Sequence, residues 1–315
     1  MRALRYESFG PVASAARLAG IAQPRPSGGE VMVRVRYASI NPLDWKLVEG
    51  QFRLLFKSRP PCGVGTEFSG VVEAHGRGVS APPIGTPVVG FIDPTKRPPG
   101  ALQECVAVPA RDVMTIDAAD LEAACTLPVA GLSALQMCRL AGVTSGKRVL
   151  VHGAAGGVGS FAVQIARALG GEATATGSRD SQPTLAALEP AARVNYAAQP
   201  VEKWGGPFEA VLDCASTLDA GSLKVLLAQG GRAVRTLPRF PSVLLDPLLN
   251  PLRPVRRFTL RLAPNTDDLR TLANWLRRGL IKPLISERFD LDGAVAALGR
   301  SRSGHAKGKL VVKVS

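Results

Sequence analysis

The chain has 315 residues, 46% of them hydrophobic and only 5% aromatic, and it carries a formal net charge of +14. That length suffices for two domains with separate cores, and no stretch approaches the ~18 consecutive apolar residues of a membrane-spanning helix. Five scattered cysteines (Cys62, Cys105, Cys125, Cys138, Cys214) and three histidines make soft metal ligands scarce, and the thiols read as reduced in a cytoplasmic protein.

Met1 to Tyr6 run straight into strand-like sequence with no signal-peptide pattern. Val31–Val35, Gly70–Ala74 and Val88–Phe91, punctuated by Gly and Pro, predict a mostly antiparallel β-domain over residues 1–120. The pattern then changes. Leu121–Leu127 and Gly131–Leu140 read as helices, and strands are predicted at 148–152, 172–176, 209–213, 232–236 and 258–262. Such alternation implies an α/β domain with a doubly wound parallel sheet over 121–284. Thr266 is placed as the N-cap of a helix with a buried stripe of Leu269, Leu272, Ala273 and Leu276, ended by Gly279. Lys309–Val314 alternates as a strand, and residues 285–315 are expected to return and complete the first domain.

The most informative stretch runs from Arg148 to Arg167. A short apolar run ends in a glycine cluster, and an amphipathic helical pattern follows at once. Strand, tight turn and helix open a dinucleotide-binding unit. A pyrophosphate needs backbone N–H groups at close range and the positive end of a helix dipole. Ala155, Gly156, Gly157 and Val158 form the expected cradle, and Gly159 allows close packing of the helix; Ala154 stands where the first glycine usually is.

After the next strand, an NAD site would place an acid to receive the ribose 2′-hydroxyl. Thr176 and Gly177 occupy that point, followed by Ser178 and Arg179, a hydroxyl and a guanidinium suited to a phosphate. The expected cofactor is therefore NADPH.

The segment Leu237–Pro254 sets five prolines among apolar residues, which predicts irregular backbone. A loop so apolar must be covered by its own core, a substrate cleft, another subunit or a membrane surface. Arg253, Arg256, Arg257 and Arg261 cluster nearby, yet basic residues are otherwise spread and aromatics are few. Nucleic acid is not the expected partner, and the charge is read as favouring solubility and attracting anions.

Several motifs agree along almost the whole length: Ser39–Lys46, Gly65–Glu73, Leu127–Ala134, the Ala154–Gly159 turn, Asp213–Ala215 and Gly308–Val312. With these the chain resembles the zinc-independent quinone oxidoreductases, the zeta-crystallin-like branch of the medium-chain dehydrogenase/reductase superfamily. The resemblance implies a GroES-like β-domain, a Rossmann domain and a cleft between them for nicotinamide and substrate. Zinc-dependent relatives carry a histidine where Thr66 stands, and this chain has no four-cysteine lobe, so it is expected to hold no metal.

Without zinc, hydride transfer to a small hydrophobic quinone or α,β-unsaturated carbonyl is the expected chemistry, with donors meeting charge on the carbonyl oxygen. By resemblance Lys46 is the candidate to stabilise that charge or hold a ribose hydroxyl, Asn41 would orient the nicotinamide or substrate carbonyl, and Asp44 would fix Lys46 and the loop. Ser133, Tyr196, Cys214 and Lys309 match positions near the cofactor, and family members often form homodimers. His152 reads as structural, and His75 and His305 carry no signal. The alternatives are an enoyl reductase or alcohol dehydrogenase of the same fold, or an NADPH-binding protein recognising RNA or a protein partner.

Overall fold

The computed structural model describes residues 1–54, 56–237 and 242–315. They form two compact units: Met1–Val129 with Pro264–Arg277 and Ile285–Ser315, and Ala130–Ala263 with Arg278–Leu284.

In the first unit, among the described residues, six strands of one sheet follow the order Ile285–Asp290, Lys309–Lys313, Glu30–Ile40, Glu67–His75, Pro87–Phe91 and Val113–Thr115, and Cys105–Pro109 also pairs with Glu30–Ile40. Its pairings are antiparallel except for Ile285–Asp290 beside Lys309–Lys313. The C-terminal strand is fixed by register, with Leu310 opposite Ile40 and Val312 opposite Ala38. A smaller sheet joins Ala16–Gly20, Arg2–Tyr6 and Cys62–Gly63. Tyr6, Val33, Val35, Phe68, Val88, Leu102 and Val312 are fully buried in this unit's core, and burying such side chains contributes about 1.5–3 kcal/mol each.

The unit keeps more chain than the sequence suggests. Leu121–Ala124, expected beyond the boundary at 120, packs on the strands Glu30–Ile40, Glu67–His75 and Pro87–Phe91. Ser69 Oγ donates to its Leu121 carbonyl at 2.5 Å. The helix Thr266–Arg277 also belongs here, packed on Val113–Thr115. Its cap is Asn265, whose Oδ1 accepts from the N–H groups of Asp267 (2.9 Å) and Asp268 (3.2 Å), and not Thr266. The amide side chain one residue earlier is the one that reaches the free N–H groups.

The second unit is a parallel sheet ordered Ala192–Asn195, Glu172–Gly177, Arg148–His152, Phe208–Asp213, Leu227–Arg235 and Arg256–Thr259. Strand order reverses between Arg148–His152 and Phe208–Asp213, and the crevice outside the carboxyl ends at such a point is where ligands sit in this fold. The first strand in this order escapes sequence reading because only Val194 of its four residues is buried. The last lies at 256–259 and not at 258–262.

The segment expected to be irregular is partly helical. Ser242–Leu249 forms a helix and Asn250–Leu252 a 3-10 turn, while residues 238–241 lie outside the described residues. Pro247 sits inside this helix, where its missing N–H forfeits one hydrogen bond to the carbonyl four residues back. Polar anchors offset that loss: Asp246 pairs with Arg253 at 2.5 Å, and the Asn250 amide bonds both the N–H and the carbonyl of Arg257 at 2.8 Å. Among the described residues no single helix is long and apolar enough to cross a membrane.

Candidate active site

In the first unit, strand register assembles a buried polar network. Ser39 lies opposite Glu67, and Leu310 opposite Ile40, so Lys309 and Glu67 flank the end of the strand Glu30–Ile40. Lys309 Nζ donates to Glu67 Oε1 (2.9 Å), Asn41 Oδ1 (2.7 Å) and the Ile40 carbonyl (3.1 Å). Those three bonds use every ammonium proton. Glu67 Oε1 also accepts from Ser39 Oγ and from Asn41 Nδ2 (2.7 Å), and its Oε2 accepts from the Val129 N–H (2.7 Å). Glu67 is 0% exposed and Lys309 2%. A pair so buried survives only because both charges are compensated and hydrogen-bonded.

This network engages two of the expected site residues: Lys309 is buried, and the Asn41 amide is held at both ends from within the protein. Glu67 and Ser39 went unmarked. Glu67 and Lys309 each open a strand, and Ser39 lies near the end of the strand between them.

Asp44 occupies the first turn of the helix Pro42–Val48. Its Oδ2 accepts from the Asn41 N–H at 2.7 Å and its Oδ1 from Thr66 Oγ1 at 3.2 Å. Burial pushes its pKa up to about 7, and the neighbouring Glu67 adds to the rise, against the Asn41 bond and Lys309. Asp44 therefore fixes Asn41 and Thr66. It holds the loop as expected, while Lys46, two positions on, faces another way on the helix. Lys46 is half-buried with Nζ 5.4 Å from the Trp45 ring centroid, and burial lowers its pKa.

The raised Asp44 pKa has a measurable sign. The unfolded chain ionises this carboxyl near 3.8 and the folded chain near 7, so its contribution is fully present at low pH and lost as pH rises through 7. At about 1.4 kcal/mol per pKa unit, the loss is roughly 4 kcal/mol. Asp44→Asn is expected to gain on the parent between about pH 4 and pH 7 in urea-unfolding midpoints; parallel pH profiles would sink the assignment.

In the second unit the strand Arg148–His152 ends at Gly153, whose φ of +74° suits glycine. The helix Gly157–Ala168 starts after Gly156 at the N-cap, and Ser160 donates to the Gly156 carbonyl at 2.9 Å. The N–H groups of Gly157, Val158 and Gly159 therefore have no intrahelical partner. A Cβ on Gly159 would stand 2.2 Å from the Gly153 carbonyl oxygen and 2.7 Å from Ala154 Cα. Glycine there is a packing necessity.

The other expected cofactor residues gather mostly at the carboxyl ends of neighbouring strands. Thr176 Oγ1 lies 2.7 Å from His152 Nδ1, and the Ala154 N–H donates to the Thr176 carbonyl at 3.0 Å. Ser178 Oγ lies 3.0 Å from Ser181 Oγ, and Arg179 is exposed. Tyr196 is 43% exposed, its ring 5.8 Å from that of His152. The Cys214 N–H donates to the His152 carbonyl at 3.0 Å, and burial keeps its thiol protonated. Ser133 is buried in the helix Leu132–Ala141. His152 is engaged at both ring nitrogens, the second 2.8 Å from Thr217 Oγ1, and stacks on Trp204. Sequence reading missed the role of Asp213, whose carboxylate accepts from the N–H groups of Thr217 (3.2 Å) and Leu218 (3.0 Å) and shapes the turn after its strand.

Among the described residues no three His, Cys, Asp or Glu side chains come together.

Comparisons with known proteins place this geometry. Residues 27–118 match the alcohol dehydrogenase GroES-like domain, and residues 188–312 match a family described as zinc-binding dehydrogenase. The chain is 31% identical to the chloroplastic quinone-oxidoreductase QR1 of Triphysaria versicolor, over 99% of this chain and 98% of that one. It is 29% identical to 2-methylene-furan-3-one reductase of Solanum lycopersicum, over 99% of this chain and 79% of that one. The solved quinone oxidoreductase of Coxiella burnetii superposes with a TM-score of 0.89 at 28% identity, covering 100% of this chain and 99% of the other.

Proposed function

Because the chain belongs to the medium-chain dehydrogenase/reductase superfamily, with quinone oxidoreductases among its relatives, we propose that it transfers hydride from NADPH to a quinone or α,β-unsaturated carbonyl without zinc. The observation that supports this reading is the strand–glycine–helix turn at 148–168, in a chain whose described residues bring together no His, Cys, Asp and Glu cluster that could hold a metal. When bound, the nicotinamide supplies the hydride.

The residues of the chain do the rest. The N–H groups at Gly157 and Val158, at the positive end of their helix, hold a pyrophosphate, with Ala155 and Gly156 forming the approach. Ser178 and Arg179 hold the 2′-phosphate, Tyr196 packs beside it, and Thr176 and Cys214 contribute backbone along the strand ends. The Lys309–Glu67 pair keeps Asn41 in one orientation, and Lys46 meets charge developing on the substrate oxygen. An already electrophilic acceptor suits this site, since no Lewis acid is needed to activate it.

The test is NADPH oxidation followed with 1,4-benzoquinone, 9,10-phenanthrenequinone and a medium-chain enone, with and without a chelator. Chelator-insensitive turnover is expected, and activity restored only by added zinc would overturn the reading. Arg179→Ala is expected to raise KM for NADPH by about tenfold, the worth of one charged hydrogen bond of about 1.5 kcal/mol, and to leave that for NADH nearly unchanged. Equal weakening of both would remove Arg179 from the phosphate site.

A further inference from the structure

Two turns at the carboxyl ends of neighbouring parallel strands are stitched together by hydroxyls. After the strand Phe208–Asp213 the chain turns at Ser216, which holds a φ of +56°. A side chain in that left-handed region is strained, and glycine would relieve it. Serine offers what glycine lacks, an oxygen that is bonded on both sides. The Leu237 N–H, in the turn after the strand Leu227–Arg235, donates to Ser216 Oγ at 2.9 Å. Ser216 Oγ lies 3.0 Å from Thr236 Oγ1, and Thr236 Oγ1 donates to the Cys214 carbonyl at 3.1 Å. A hydroxyl has one proton. Thr236 commits its own to Cys214, so Ser216 donates to Thr236, and the bonds run one way from Leu237 to Cys214. Ser216 is buried, which leaves little room for water to replace either bond.

The stitch ends at the nucleotide turn. The Cys214 N–H donates to the His152 carbonyl at 3.0 Å, and the Ser216 N–H to the Asp213 carbonyl at 3.2 Å. Ala215 lies between them, so close to Gly153 that a Cβ there would stand 3.0 Å from Ala215 Cβ and 3.2 Å from its nitrogen. Gly153 opens the turn that leads to the helix Gly157–Ala168. Moving Ala215 therefore moves a wall of that turn. Ser178 and Arg179 follow the strand on one side of Arg148–His152. The other half of a dinucleotide then lies over the strands on the opposite side, Phe208–Asp213 and Leu227–Arg235. We propose that Ser216 is a positioning residue for the nicotinamide half of the cofactor: its hydroxyl, through Thr236, locks the two strand-end turns together and holds Ala215 against Gly153. Slack in these turns reaches the reacting end of the cofactor and spares the phosphate contacts. The inference rests on the reading of the chain as an NADPH-dependent reductase.

The experiment compares Ser216→Gly, Thr236→Val and Thr236→Ser with the parent. It reads NADPH affinity by isothermal titration, the fluorescence of the bound dihydronicotinamide, and turnover with 1,4-benzoquinone. Ser216→Gly keeps the backbone conformation, so its urea-unfolding midpoint is expected to stay near that of the parent. Its kcat is expected to fall about tenfold, since one lost hydrogen bond and a small misplacement suffice for that. KM and Kd for NADPH are expected to change by less than about threefold, because the phosphate contacts remain. The emission of the bound dihydronicotinamide is expected to shift toward that of free NADPH. Thr236→Val is expected to do the same, and Thr236→Ser, which keeps the hydroxyl, to restore most of the parent's kcat and emission. Parent-like kcat and emission in Ser216→Gly overturn the proposal, as does a kcat loss that Thr236→Ser fails to restore or that only follows lost stability. In a parent that binds NADPH without turnover, unchanged emission in Ser216→Gly overturns it. A parent that binds no NADPH overturns the functional reading itself, and this role with it.

Discussion

Lys309→Met is expected to destabilise the folded chain by about 3–5 kcal/mol, because it strands the Glu67 carboxylate in a fully buried site. Glu67 is fully buried and accepts four hydrogen bonds, from Ser39, Asn41, Lys309 and the Val129 N–H. Removing the lysine deletes the only positive charge among those donors. Glu67→Gln alone leaves the opposite orphan, a buried ammonium. The double variant, Lys309→Met with Glu67→Gln, removes both charges and is expected to recover much of the loss. Urea unfolding of the four proteins checks this as a double-mutant cycle. Additive single losses would show that the two charges do not compensate one another.

Gly159→Ala has the second largest expected effect. The added Cβ would lie 2.2 Å from the Gly153 carbonyl oxygen, inside any real contact distance, and both colliding atoms belong to backbone. Neither can rotate away, so the helix must lift from the turn. Forcing extra volume into so tight a place costs about 1–3 kcal/mol, and here the displacement falls on the N–H groups meant for the pyrophosphate. NADPH affinity is therefore expected to fall by more than about tenfold, since over 1.4 kcal/mol of binding rests on that geometry. Gly20→Ala is the control, because its Cβ would meet nothing within 4 Å and it lies outside the nucleotide turn. Isothermal titration with NADPH distinguishes the two. Equal affinities would dissociate the turn from the cofactor.

Much of this architecture is legible in the sequence. The strand–glycine–helix run at 148–168 announces itself because its chemistry is local: a buried strand, a turn with positive φ and a helix packed close. The alternation that follows predicts a parallel sheet for the same reason. Failures occur where long-range pairing decides. Ala192–Asn195 is a strand because Glu172–Gly177 lies beside it, and its own residues carry almost no apolar pattern. The Lys309–Glu67 pair joins residues 242 positions apart, and only the register of two strands against Glu30–Ile40 brings them together. The helix Ser242–Leu249 defeats sequence reading by combining an internal proline with leucines that face outward.

The central claim is metal-free transfer of hydride from NADPH to an electrophilic acceptor. The direct measurement uses NADPH deuterated at C4 with an enone substrate, in protein shown by elemental analysis to lack zinc. Deuterium at the β-carbon of the product, at an undiminished rate in the presence of chelator, is the predicted result. Product formed only in zinc-loaded protein, or with no deuterium at that carbon from either C4 position, would contradict it.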